Sequence, residues 1–297
     1  MGIIELIRMR DLLIYFFLFF LIFSCSTKKE SENVVLGSDI TLDCILTSPI
    51  GDIPNDIYSI RNIETTDNYP LFTKKLDVFG ITLIARDEIS DDFMQNVGVV
   101  ISEMFTLTPD TDPELQRQVI ESLYRYNTVI PLFYGENWSI SQSEEPNWDS
   151  TRSANSLCDI IMEDIANQVM EVVEHILHHV TDVGLHYAMN DDWGLSSDSK
   201  LYRLTNDAIT SGDYDISQYS DISEVGVRNR VILQEYAYWI IYTAWDLRHK
   251  YGPTNSEWSI MSRDEFMTKQ SGSYDLFLTT IPQVLTCPSD STLNLFQ

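Results

Sequence analysis

The second half of the chain is ruled by two long stretches of helical periodicity, one from roughly Ser156 to Val183 and one from roughly Val227 to Tyr251. The second is closed by Gly252-Pro253, a conventional helix stop, and the first reads as ending near Gly184. The first half alternates shorter signals. Residues 33–75 carry Pro49, Pro54 and Pro70 and no sustained period, which predicts short strands and loops. Leu76–Ala85 is rich in β-branched and aromatic residues and reads as a strand. Ser90-Asp-Asp opens a helix with apolar residues at Phe93, Met94, Val97, Val100, Ile101 and Met104, and Pro113 opens another with Leu115, Val119, Ile120 and Leu123. Thr128–Tyr134 reads as a second strand, placed at an edge by Pro131. A loop rich in Ser, Glu and Trp covers about 135–155. Strands and helices first, helices after, give an α+β layout with a small mixed sheet.

The first long helix concentrates chemistry. Four of the five histidines, His175, His178, His179 and His186, fall within twelve residues. At about 100° per residue, Glu171, His175, His178, His179 and Asp182 share one arc, and Val169, Val172, Val173, Ile176, Leu177 and Val180 fill the opposite side. His175 and His179 are four residues apart, a spacing that lets two imidazoles reach one ion from consecutive turns. Asp182 or Glu171 can add a carboxylate or orient an imidazole. His186 reaches the same region only if the chain turns at Gly184. The competing explanation is a solvated polar stripe on an amphipathic helix.

The other end of the chain constrains location. Arg8 and Arg10 precede twelve uncharged residues, Leu12–Phe23, and then Ser24-Cys25. The run is short of the roughly 20 apolar residues that a membrane-spanning helix needs, and a basic start before a short apolar stretch is the pattern of a secretory signal. An uncleaved anchor is the alternative; export follows from either. Residues 25–35 are polar and read as a flexible tether, and 36–297 as the folded domain. The net charge is −26. Residues 1–24 contribute two bases (Arg8, Arg10) and two acids (Glu5, Asp11), so removing them leaves that charge unchanged. So acidic a body argues against nucleic-acid binding, which needs cations to displace counterions.

Three cysteines follow Cys25. In an oxidising compartment one disulfide is possible, and Cys44 pairs with Cys287 because both lie near the ends of the domain, leaving Cys158 as a buried thiol. Oxygen donors at Asp213, Asp215, Ser217, Asp221 and Glu224 have the spacing of a calcium loop, with Gln218 where a glycine is expected. The aromatic run Tyr236, Tyr238, Trp239, Tyr242, Trp245, with Trp258, reads as core packing before it reads as a ligand groove. His249, near the end of the second helix, fits a dipole-capping role.

Ile22-Phe23-Ser24-Cys25 resembles the lipobox of bacterial lipoproteins, which implies a lipid on Cys25 as first mature residue and an extracytoplasmic, membrane-anchored place in the cell envelope. The histidine helix resembles that of the zincin metallopeptidases, in which HExxH supplies two zinc ligands and a glutamate base. Here His175-Ile-Leu-His178-His179 keeps the two histidines and has Ile176 in place of the glutamate, while Glu174-His175-Ile-Leu-His178 exchanges the first two residues of the frame. The resemblance, over roughly residues 76–250, implies a zincin-like fold and zinc held by His175 and His179. In the gluzincin and lethal-factor-like branches a glutamate on a later helix completes the set, and Glu235 matches it. A base would then come from Glu174 or Asp182. The implied activity is zinc-dependent hydrolysis of peptides or proteins. The alternative is a non-catalytic surface lipoprotein that binds a ligand or partner on a degenerate scaffold of that kind.

Overall fold

In a computed structural model of the protein, which describes residues 35–297, a five-stranded mixed sheet carries helices on one face and an aromatic loop on the other. The sequence assignments at Cys25 and in the signal segment lie outside the described residues. The strands are β1 (Glu64–Thr65), β2 (Lys74–Val78), β3 (Ile81–Ala85), β4 (Thr128–Tyr134) and β5 (Ile161–Glu163), arranged in that order across the sheet. β1–β2 and β2–β3 pair antiparallel, and β3–β4 and β4–β5 pair parallel. No helix of the described residues is long and apolar enough to cross a membrane.

The run read as one strand over 76–85 is the end of one strand, a turn and a second strand. Phe79 and Gly80 both take positive φ (45° and 80°), the two-residue turn that matches strand twist. A Cβ on Gly80 would stand 2.4 Å from the Ile120 carbonyl oxygen, so glycine is required there twice over. Phe79 stacks on Phe105 at 5.6 Å.

β4 is interior, not an edge, and the reason Pro131 is tolerated there matters for the site. The Val129 N–H donates to the Ser156 carbonyl and the Gly135 N–H to that of Glu163, so the odd-numbered amides of β4 point toward the β5 side. Pro131, with no N–H to offer, falls between those two attachments. There the neighbouring chain, 157–160, leaves the sheet before β5 begins at Ile161. The proline sits opposite a gap.

The helical side holds α1 (Asp91–Met104), capped by Ser90, and α2 (Pro113–Arg125), capped by Asp112, both with the apolar faces that their sequence periods predict. α3 (Glu145–Ala154) belongs to the loop on the opposite face, where Trp138 and Trp148 pack on Phe72, Ile84, Val129 and Phe133. The histidine helix, α4 (Gln168–His179), packs between the sheet and the second long helix, α6 (Val225–Ala244). α5 (Lys200–Ser211), α7 (Arg263–Lys269) and α8 (Ser271–Thr280) complete the body.

Three helix ends differ from expectation. The first long helix begins at Gln168, not Ser156, because β5 occupies Ile161–Glu163. Gly184 does not stop α4: the chain continues through a π-helical turn, Val180–Leu185, into His186–Ala188. The glycine is instead a packing notch, since a Cβ there would meet Val119 Cγ1 at 2.9 Å. The second helix breaks at Asp246 (φ 62°) and resumes as a short turn, Leu247–Tyr251, before Gly252.

The disulfide joins Cys44 to Cys158, and Cys287 is a free thiol. The expected Cys44–Cys287 bridge is thus corrected. Proximity of chain ends suggested it, but Cys158 lies on the segment that leaves the sheet, and that segment is tied to residue 44 by backbone as well. The Leu157 N–H donates to the Cys44 carbonyl at 2.9 Å.

Candidate metal centre

The strand break at 157–160 and α4 build the site together. As the chain leaves the sheet, the amides of Cys158 and Asp159 donate to Nε2 of His179, at 3.3 and 3.4 Å, and Nδ1 of His179 donates back to the His175 carbonyl at 2.8 Å. Both ring nitrogens are spent on backbone. Burial holds the imidazole neutral, with a pKa pushed down to about 4. His179, half of the expected zinc pair, is a buried bracket for the strand break.

Anchored in this way, Asp159 turns its side chain toward α4. Its Oδ2 lies 3.0 Å from His178 Nδ1 and 3.7 Å from His175 Nε2. On the other side of the His178 ring, Nε2 lies 3.5 Å from Glu235 Oε2 on α6. Glu174, one turn before His178, completes a group: one ligand atom each of Glu174, His178 and Glu235 lies within 4.8 Å of the others. Asp159, His175 and His178 form a second such group sharing the same histidine.

The electrostatics of these groups are those of charges held close in a poorly hydrated place. Burial first, and then the Glu235 carboxylate, push Glu174 up to about 8. Burial works against a charge on His175, yet the carboxylates of Asp159 and Glu171 raise it to about 9. Burial works against His178 too; Glu235 and Asp159 outweigh it and hold the ring well above its ordinary value. Asp159 is pulled well below the carboxylate range despite its burial, by His175 and His178. Three buried polar atoms here lack a well-formed hydrogen bond: His175 Nδ1, which lies 3.2 Å from Glu171 Oε1, His178 Nε2 and the Tyr238 hydroxyl.

The remaining predicted residues lie elsewhere. His186 is buried, and its Nδ1 accepts from the Leu195 amide at 3.0 Å. Because the chain does not turn at Gly184, it stays out of both groups. Asp182 is wholly buried beside the disulfide, with Oδ2 3.7 Å from Arg230 Nη1, and burial raises it to about 7. It has no route to a substrate. Ile176, at the position of the zincin glutamate, is fully buried in the core. The calcium-like loop does not gather its oxygens: Asp213 accepts from Ser211, Ser259 and Gln270, Asp215 from the Ser217 amide, and Glu224 caps α6. Most of the aromatic run is core, with Tyr236, Tyr238, Tyr242 and Trp258 fully buried. Sequence reading missed Asp159, because a helix drawn from Ser156 leaves no segment from which its carboxylate could approach α4 from outside.

No protein-family model, no curated protein and no solved structure matches this chain. What the site does therefore rests on its own geometry.

Proposed function

We propose that this is an exported protein, lipid-anchored through Cys25, whose domain binds a divalent metal ion at Glu174, His178 and Glu235 and uses it in hydrolysis. Zinc is the first candidate ion, and peptides or proteins are the first substrate class. One observation carries the reading. The His178 ring is oriented by Asp159 at Nδ1, and its buried Nε2 has no hydrogen-bond partner while it faces two converging carboxylates. A carboxylate behind an imidazole whose other nitrogen points at further ligands is the usual arrangement around a protein-bound metal. Two carboxylates brought together away from water need a cation in return.

The donors fit an ion through a different set from the one that the zincin resemblance implies. Glu174 and His178, four apart, take the place of His175 and His179, and Glu235 keeps its role. A metal in this position supplies Lewis acidity and lowers the pKa of water. The chain's own groups do the rest: Asp159 fixes the His178 tautomer, and His175, beside Asp159 and Glu171, is placed to hold or pass a proton. Ile176 leaves no glutamate at the zincin base position, and His175, held protonated by its carboxylate neighbours, is placed to donate a proton rather than to accept one.

The second reading is a non-catalytic protein binding a ligand or partner, and the buried Ile176 favours it. Metal analysis of the purified protein beside His178→Ala, followed by a peptidase assay with and without chelator, separates the two. The enzyme reading requires bound metal in the wild type, none in the variant, and turnover that chelator abolishes. Metal without turnover leaves the binding reading; no metal in either protein ends the metal proposal.

A further inference from the structure

Arg248 is 2% exposed, yet none of its guanidinium nitrogens makes a hydrogen bond or ion pair among the described residues; Nε and Nη1 are fully covered and unpartnered. A buried cation without a partner is costly, and this chain satisfies its other deeply buried arginine in full. Arg230 is held by Asp43 at 2.7 Å and by Gln234. The break at Asp246 folds the short 247–251 turn back so that Arg248 lies over the Trp239 ring, 4.8 Å from its centroid. The nearby carboxylate of Glu257 is engaged elsewhere, by Trp239 Nε1 at 2.7 Å and the Tyr219 hydroxyl.

Other polar groups around it are unsatisfied too. The hydroxyls of Tyr238, Tyr242 and Tyr251 are buried and unpartnered, and the Tyr238 and Tyr242 rings lie 5.0 Å apart on successive turns of α6. Arg248 and Tyr251 line an open pocket of about 510 Å³ together with His249, Lys250, Pro253 and Asn167. Asn167 is the residue just before α4, and its side chain does not cap the helix. An uncapped helix N-terminus carries partial positive charge and free amides. In a protein of net charge −26, an arginine without a hydrogen-bonded carboxylate stands out here, while its neighbour Lys250 is already paired with Asp290.

We propose that this pocket is an oxyanion-binding site in which Arg248 holds a carboxylate or phosphate group of a ligand. The planar guanidinium suits paired oxygens, the Tyr251 hydroxyl adds a donor from the pocket wall, and Trp239 lies against the face of the fork. The site stands whether or not the neighbouring cleft holds a metal.

The test is calorimetric titration of the purified protein with two probes, inorganic phosphate and N-acetylglycine, at ionic strength matched with chloride. At least one probe binds the wild type. Arg248→Met weakens that binding by about tenfold to a hundredfold, the worth of a charge-assisted hydrogen bond, and Arg248→Lys weakens it less. Arg248→Met also melts no lower than wild type in chloride, because it removes an unpaired buried charge. Binding of phosphate alone or of N-acetylglycine alone assigns the group; binding of both assigns the shared oxyanion chemistry. Silence toward both up to about 20 mM, or equal binding by Arg248→Met and Arg248→Lys, overturns the proposal. So does binding that vanishes with chelator, which would place the anion in the metal cleft instead.

Discussion

His178 and His179 are neighbours on one helix, both fully buried, and they face opposite demands. His179 meets three backbone groups, spends both nitrogens and is held neutral. His178 meets Asp159 on one nitrogen, and carboxylates without a hydrogen bond on the other. About 100° of helical rotation separates a structural bracket from a candidate ligand. Residue type and spacing cannot tell the two apart; what each nitrogen touches can.

The comparison breaks most visibly under substitution of the two histidines in turn. His178→Ala is expected to lose bound metal to background by elemental analysis, with His179→Ala retaining it in whatever fraction stays folded. Metal lost only from the His179 variant would invert the assignment. Next in size, His179→Ala costs about 2–4 kcal/mol of stability in denaturant unfolding, from a cavity and two buried amides left without an acceptor. Asp159→Asn sharpens the division because Asp159 serves the metal side through Oδ2 and the strand break through its amide and through Oδ1, which accepts from the Ile160 amide and survives as the asparagine oxygen. The variant is expected to weaken metal binding by about 10–100-fold with a smaller effect on melting, read by competition with a chromogenic chelator.

The smallest effect is the pH dependence of the other neutral acceptor. Burial lowers His186 to about 4, so it is depressed below its unfolded value. Between about 6.5 and 4 the unfolded chain binds the extra proton, and stability is lost as pH falls through that window. His186→Gln, which keeps an acceptor for the Leu195 amide, is expected to flatten the acid limb of the stability curve slightly. An unchanged acid limb would remove His186 from that account.

The helices α1 and α2 were legible because their apolar periods and their caps, Ser90 and Asp112, act locally. Glu235 entered only through the resemblance to the gluzincin and lethal-factor-like branches, and the histidine that it meets was not named with it. Features decided at a distance were hidden. Pro131 signals an edge unless the missing partner segment 157–160 is known. Phe79-Gly80 is a weak turn signal, and it works because Gly80 must clear the Ile120 carbonyl. Cys158 and Asp159 escaped together, since the same strand break carries the disulfide and the carboxylate.

The Cys44–Cys158 bond closes a loop that holds β1 to β4 and the helices α1, α2 and α3. A single peptide cut anywhere between those cysteines leaves both pieces of the chain covalently joined. In the exported location proposed above, where proteases abound and no ribosome replaces a damaged copy on site, surface loops such as 135–144 can be nicked without shedding either half. Cuts beyond Cys158 have no such protection from this bond, and α4 and α6 there must rely on their packing alone.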